Sequence, residues 1–150
     1  MSGDQDLIKL YSQRILALAA DMPRTTRLTA PDATARKRAP LCGSTVTVDI
    51  VLRDGVIADY GQEVKACALG QAAASIVGSA VVGLDEGAVQ RGRDQLAAML
   101  KGGGAVPDAP FDGLAVLEPA RDYRNRHASI MLAFDATLDA LAAAKAQHSA

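Results

Sequence analysis

Four residues in this chain could carry chemistry: two cysteines, Cys42 and Cys67, and two histidines, His127 and His148. Cys42 stands in Pro40-Leu41-Cys42-Gly43-Ser44, a tight bend in which Gly43 lets a metal or cluster come close to the backbone. Cys67 stands in Lys65-Ala66-Cys67-Ala68-Leu69-Gly70, where a strand pattern gives way to a helical one. A thiol at a helix N-terminus beside Lys65 is expected to lose its proton more readily than a free thiol, because unpaired N–H groups and the ammonium favour thiolate. Thiolate is the form that binds metals and accepts sulfur. Spacing alone leaves the matter open, since two cysteines this far apart are equally at home as small buried hydrophobes. His148 lies in the C-terminal tail, and His127 opens a helical pattern where a surface position is the ordinary reading. The chain contains no CxxC pair, HExxH, P-loop or dinucleotide-binding fingerprint.

The elements that must position these residues follow from the hydrophobic period. Val46, Val48, Ile50 and Leu52 alternate with Thr45, Thr47 and Asp49, the pattern of a half-buried strand. Asp54-Gly55 signals a turn, and Val56, Ile57, Ala58, Tyr60 and Val64 supply the return strand. Residues 44–64 therefore read as an antiparallel hairpin that leads from Cys42 to Cys67. Upstream, Leu7, Ile8, Tyr11, Ile15, Leu18 and Met22 recur at helical spacing between about Asp4 and Asp21. Asp4 or Asp6 would sit at the positive end of that helix and Pro23 would end it. Residues 23–41 hold three prolines and the run Arg36-Lys37-Arg38, a long connection with room for one short edge strand. Downstream, Leu69, Ala72, Ala73, Ile76, Val77 and Ala80 continue a helix from Ala66. Asp85 caps a further helix through Val89, Leu96, Met99 and Leu100, closed by Lys101-Gly102-Gly103-Gly104. After a loop with an apolar stretch from Leu114 to Leu117, Ile130, Met131, Phe134, Leu138 and Leu141 form the face of the last helix, with Asn125 as its cap and a tail expected to fray from about Lys145. A small antiparallel sheet with segregated helices is an α+β fold.

Composition narrows the classes. A chain of 150 residues, 49% hydrophobic and 22% charged, has the size and balance of one globular domain, 1–150, with a core of its own. A net charge of −1 gives no reason to expect nucleic acid as a partner. No apolar run is long enough to span a bilayer, and the start Met1-Ser2-Gly3-Asp4-Gln5-Asp6 is acidic rather than the basic start of a targeting peptide. The expectation is a cytoplasmic protein with reduced cysteines and no membrane partner.

Taken in order, these pieces resemble the NifU/IscU/SufU family of iron–sulfur cluster assembly scaffolds over nearly the whole chain. Tyr11 with Met22-Pro23-Arg24 resembles the family's first helix and the step after it. Pro40-Leu41-Cys42-Gly43 resembles the first-cysteine motif, and Val56-Ile57-Ala58-Asp59-Tyr60-Gly61 the strand leading to the second cysteine. Cys67-Ala68-Leu69 with Ala72-Ala73-Ala74-Ser75 resembles the second-cysteine motif and its small-residue helix, and the stretch from Tyr123 to Phe134 the segment of the third cysteine. The resemblance implies a SufE/NifU-like fold, with helices packed on one face of the sheet. It also implies that the hairpin's entry and two helix N-termini meet at one end.

The departures fall on the ligands. The third-cysteine position is Ser129, the aspartate after the first cysteine is Ser44, and the glycine before the second is Ala66. The implied metal ligands are thus Cys42 and Cys67, supported by Gly43, Ser44 and Lys65, with Cys67 as sulfur acceptor. A serine hydroxyl is a far poorer ligand than thiolate. His127 could substitute an imidazole, as happens on iron in Rieske centres, although two residues along a helix turn the side chain by about 200°. By resemblance the chain is a carrier rather than an enzyme, transiently holding iron or a [2Fe–2S] cluster. Its implied partners are a cysteine desulfurase, an iron donor and apo-protein clients. Two alternatives remain: a zinc-dependent SufU-like sulfur relay, and a binding module that has lost the site and docks to the desulfurase through Arg36-Lys37-Arg38.

Overall fold

The structure is a computed structural model and describes residues 11–149. Helix α1 spans Gln13–Ala20, and the Ser12 hydroxyl caps it by accepting the Ile15 N–H at 3.2 Å. The expectations for Asp4, Asp6, Leu7 and Ile8 lie outside the described residues, as does the side chain of His148. Strands β1 (Ala33–Arg38), β2 (Thr45–Arg53) and β3 (Val56–Lys65) form one antiparallel sheet in the order β1-β2-β3. The room left upstream for an edge strand is filled by β1. Asp54 and Gly55 both have positive φ, 53° and 80°, as a two-residue turn matching the sheet's twist requires.

Helices α2 (Ala68–Ala80), α3 (Glu86–Leu100) and α4 (His127–Ser149) follow, with 3-10 helices at Asp112–Asp122 and Arg124–Arg126 before the last. Asp85 caps α3 by accepting the Ala88 N–H at 2.9 Å. Helix α4 lies across β1 and β2, and α2 packs between α4 and α1. The fold is therefore α+β, with the helices on one face of the sheet.

The apolar alternation of β2 supplies the core: Val46, Val48, Ile50 and Leu52 are all buried against the helices. On the helix side, Leu69, Val77, Leu96, Ile130, Phe134 and Leu141 close it. The Tyr60 hydroxyl donates to Thr137 at 2.8 Å, tying β3 to α4, because the Thr137 proton is already given to the Ala133 carbonyl at 2.7 Å.

Two local expectations are corrected. The second face of β2 is not open to solvent: Asp49 is fully buried because the connection after α1 crosses it. There Arg27 donates to Asp49 at 2.6 and 3.0 Å, Thr34 at 2.6 Å and the Leu28 N–H at 3.0 Å, so a polar residue in the strand pattern is satisfied inside the fold. Asn125 does not cap the last helix, since a 3-10 turn at Arg124–Arg126 runs directly into it. That helix runs to Ser149, and Lys145 donates to Glu86 at 3.0 Å. Among the described residues no helix is long and apolar enough to cross a membrane.

Candidate functional site

Cys42 occupies a closed bend between β1 and β2. The Ala39 N–H donates to the Ser44 carbonyl at 2.8 Å and the Gly43 N–H to the Ala39 carbonyl at 2.9 Å, while Gly43 takes φ of 73°, a conformation that favours glycine. The bend pushes Leu41 and Cys42 outward; Leu41 is 86% exposed. Cys67 is the N-cap residue of α2, half-buried where β3 hands over to the helix. Ser129 sits in the first turn of α4 and is 1% exposed.

These three segments meet. The Cys42 thiol donates to Ser44 Oγ at 3.1 Å, Ser129 Oγ donates to Ser44 Oγ at 3.2 Å, and Cys67 Sγ lies 3.6 Å from Ser129 Oγ. The contact between the starts of α2 and α4 depends on Gly70, where a Cβ would stand 2.6 Å from Ser129 Oγ. Two thiols are thus joined by two hydroxyls at one end of the domain.

Both thiols ionise more readily than usual. The Ser44 hydroxyl, then the Ser44 backbone, holds Cys42 below the ordinary cysteine value. For Cys67, burial is the largest single influence and pushes the pKa up. The Gly70 N–H, the Ser129 hydroxyl, the Leu69 N–H and Arg126 together outweigh it and bring the thiol down. The helix N-terminus acts as expected, but the cation is not Lys65. Lys65 is 3.9 Å from Glu63 and largely exposed, whereas the cation that helps lower the Cys67 pKa is Arg126, in the turn before α4.

His127 is not directed at the thiols. Its Nε2 donates to the Ala120 carbonyl at 2.9 Å, and the ring lines a separate cavity with Leu100 and Arg121. The rotation between helix positions 127 and 129 separates the two side chains, so one turn cannot present both to the same ion. Among the described residues no group of three or more His, Cys, Asp or Glu could hold a metal ion. Residues 36–38 do not act as one basic patch either. Strand alternation turns Lys37 toward Asp139, 3.1 Å away, and leaves Arg36 and Arg38 exposed.

No family model and no curated protein matches the sequence. Solved structures do match. A nitrogen-fixing NifU-like protein (N-terminal) from Brucella abortus is 42% identical, with a TM-score of 0.91, over 94% of this chain and 98% of that one. The chain belongs to the NifU-like family. Two more distant structures share the fold. One is a candidate iron–sulfur cluster assembly scaffold for the SUF system of Fervidobacterium islandicum, with a TM-score of 0.80 and 16% identity over 89% of this chain and 98% of that one. The other is a protein of unassigned function, with a TM-score of 0.73 and 19% identity over 90% of this chain and 98% of that one.

In this NifU-like chain, the position that resemblance gives to the third cysteine is the one in contact with Cys67. Two further contributors were not singled out from sequence, Gly70 and Arg126. Each left a signal. Gly70 is a helix-disfavouring residue in the first turn of a helix, and Arg126 precedes Ser129 by one turn.

Proposed function

We propose that this chain is a scaffold for iron–sulfur cluster assembly, a carrier that accepts sulfur and iron, holds a [2Fe–2S] unit briefly and passes it to apo-proteins. The observation that carries this reading is the convergence of Cys42, Ser44, Ser129 and Cys67 from three separate segments, with both thiols inclined to ionise. The 42% identity to a NifU-like domain supports it.

Sulfur would arrive on Cys67. Its thiolate attacks the outer sulfur of a persulfide carried by a cysteine desulfurase. A new S–S bond forms at Cys67, the desulfurase S–S bond breaks, and its electron pair leaves on the desulfurase thiolate. Arg126 and the N–H groups of Gly70 and Leu69 favour the attacking anion. Iron, from a donor, then meets soft thiolate donors suited to it. A [2Fe–2S] unit takes four protein ligands. Cys42 and Cys67 supply two, the hydroxyls of Ser44 and Ser129 can hydrogen-bond to sulfur, and the open positions suit the thiolates of a receiving apo-protein. Such a ligand set fits transfer better than storage.

Zinc is less well suited, since closed zinc sites take four strong ligands and His127 is held elsewhere. A metal-free sulfur relay is the second reading, favoured by the shortage of ligands, because a relay needs one activated thiolate. Anaerobic reconstitution with iron and sulfide, followed by ultraviolet–visible spectroscopy and metal analysis, tests both. The scaffold reading expects sulfide-to-iron charge-transfer bands that disappear in Cys67→Ser. Persulfide on Cys67 without any such bands would overturn it in favour of the relay.

A further inference from the structure

Away from the thiols, the segment entering α4 builds a second site. Arg121 ends the first 3-10 helix, Arg124 opens the second after the break at Tyr123, and His127 begins α4, so three successive element ends bring these side chains to one place. They line one cavity of about 720 Å3, closed opposite by Leu100, Lys101 and Gly102 at the end of α3. That volume is within the range of small-molecule sites.

The charges around it are unbalanced. Elsewhere Arg24, Arg27, Lys37, Arg53, Arg91 and Arg93 each face a carboxylate. Lys101, Arg121 and Arg124 make no ion pair or side-chain hydrogen bond among the described residues, although Asp122 lines the same cavity. The carbonyl end of α3 adds some partial negative charge. Three full cations outweigh it and Asp122. Two guanidinium groups lining the same cavity offer paired N–H forks, the geometry that grips carboxylate or phosphate oxygens.

We propose that this cavity binds a small, multiply charged oxyanion, held by Arg121 and Arg124 with Lys101 completing the charge. The ligand presents two or more phosphate or carboxylate groups. The site is distinct from the thiol end: neither Cys42 nor Cys67 lines it, and His127, fixed through Nε2 on Ala120, forms its wall.

Pyrophosphate and citrate serve as probes, titrated into the full chain at low salt and followed by calorimetry and by amide shifts of 15N-labelled protein. Saturable binding of at least one is expected below about 10 mM, with shifts centred on residues 100–102 and 121–127. The tighter probe tells a phosphate source from a carboxylate one. Arg121→Ser and Arg124→Ser should each weaken it by about tenfold or more. Arg124→Lys should retain part of the affinity, because charge survives without the fork. The exposed pair Arg36→Ser and Arg38→Ser should leave it unchanged. Because the substituted arginines are exposed and unpaired, unchanged circular dichroism is expected throughout. No saturation by either probe, or equal weakening by the Arg36 and Arg38 variants, would overturn the proposal in favour of general attraction to surface charge.

Discussion

Ser129→Cys places a third thiol at the centre of the site. Ser129 is 1% exposed, its Oγ is 3.6 Å from Cys67 Sγ and 3.2 Å from Ser44 Oγ, and the absence of a side chain at Gly70 leaves room beside it. The substitution gives up the hydrogen bond to Ser44, which costs about 1 kcal/mol of stability. Against this stands a thiolate bonded directly to iron. Outer partners of metal ligands are already worth about 10–100-fold in affinity, so a direct soft ligand is expected to exceed about 100-fold, or about 2.7 kcal/mol. Cluster retention should therefore rise although the apo-protein becomes slightly less stable. The assay is anaerobic reconstitution of parent and variant, then decay of the charge-transfer absorbance under a fixed excess of iron chelator. His127→Ala in either background should change nothing, because the imidazole is committed to the Ala120 carbonyl. If Ser129→Cys with all thiols reduced holds cluster no longer than the parent, the contact between Ser129 and Cys67 is not where a ligand is missing. Loss of retention in His127→Ala would refute the geometric argument directly.

Three other outcomes follow from the same geometry. Cys67 should alkylate faster than an ordinary thiol at neutral pH, and Arg126→Ala should slow it while Lys65→Ala does not; equal rates in both variants would remove Arg126 from the account. Gly70→Ala would gain up to about 1 kcal/mol from helix propensity, but its Cβ meets Ser129 Oγ at 2.6 Å and Ala66 Cβ at 2.9 Å, so a net loss of about 1–3 kcal/mol is expected in urea denaturation. For Asp49, burial raises the carboxyl pKa, but Arg27, Thr34 and the Leu28 N–H together hold it below the usual value. A carboxyl held low stabilises the fold above its unfolded pKa of about 4 and loses that contribution as pH falls through its folded value. Asp49→Asn should therefore cost about 1.5–3 kcal/mol at pH 7 and flatten the loss of stability below pH 4; an unchanged acid slope would assign that loss to other groups.

The sequence by itself determined the elements. Alternation in Val46, Val48, Ile50 and Leu52 has only one physical solution, a strand with that face on the core, and Asp54-Gly55 forces the return. The apolar spacing through Leu69 to Val77 and Ile130 to Leu141 likewise required helices with buried faces. The order of the cysteine motifs also carried the family, because each motif is tied to an element boundary that the periodicity locates independently. What the sequence did not determine is which side chains share a point in space. Asp49 read as a solvent-facing strand residue until the 23–32 connection folded over it, a long-range contact that no local pattern encodes. Arg126 rather than Lys65 favours the Cys67 thiolate, and His127 turns away from the thiols. Both depend on how α4 is rotated as it docks on β1 and β2, and that rotation is set by packing of the whole helix. Gly70 shows the limit most directly: its role is the side chain it lacks, which matters only once Ser129, 59 positions away in the chain, is brought against it.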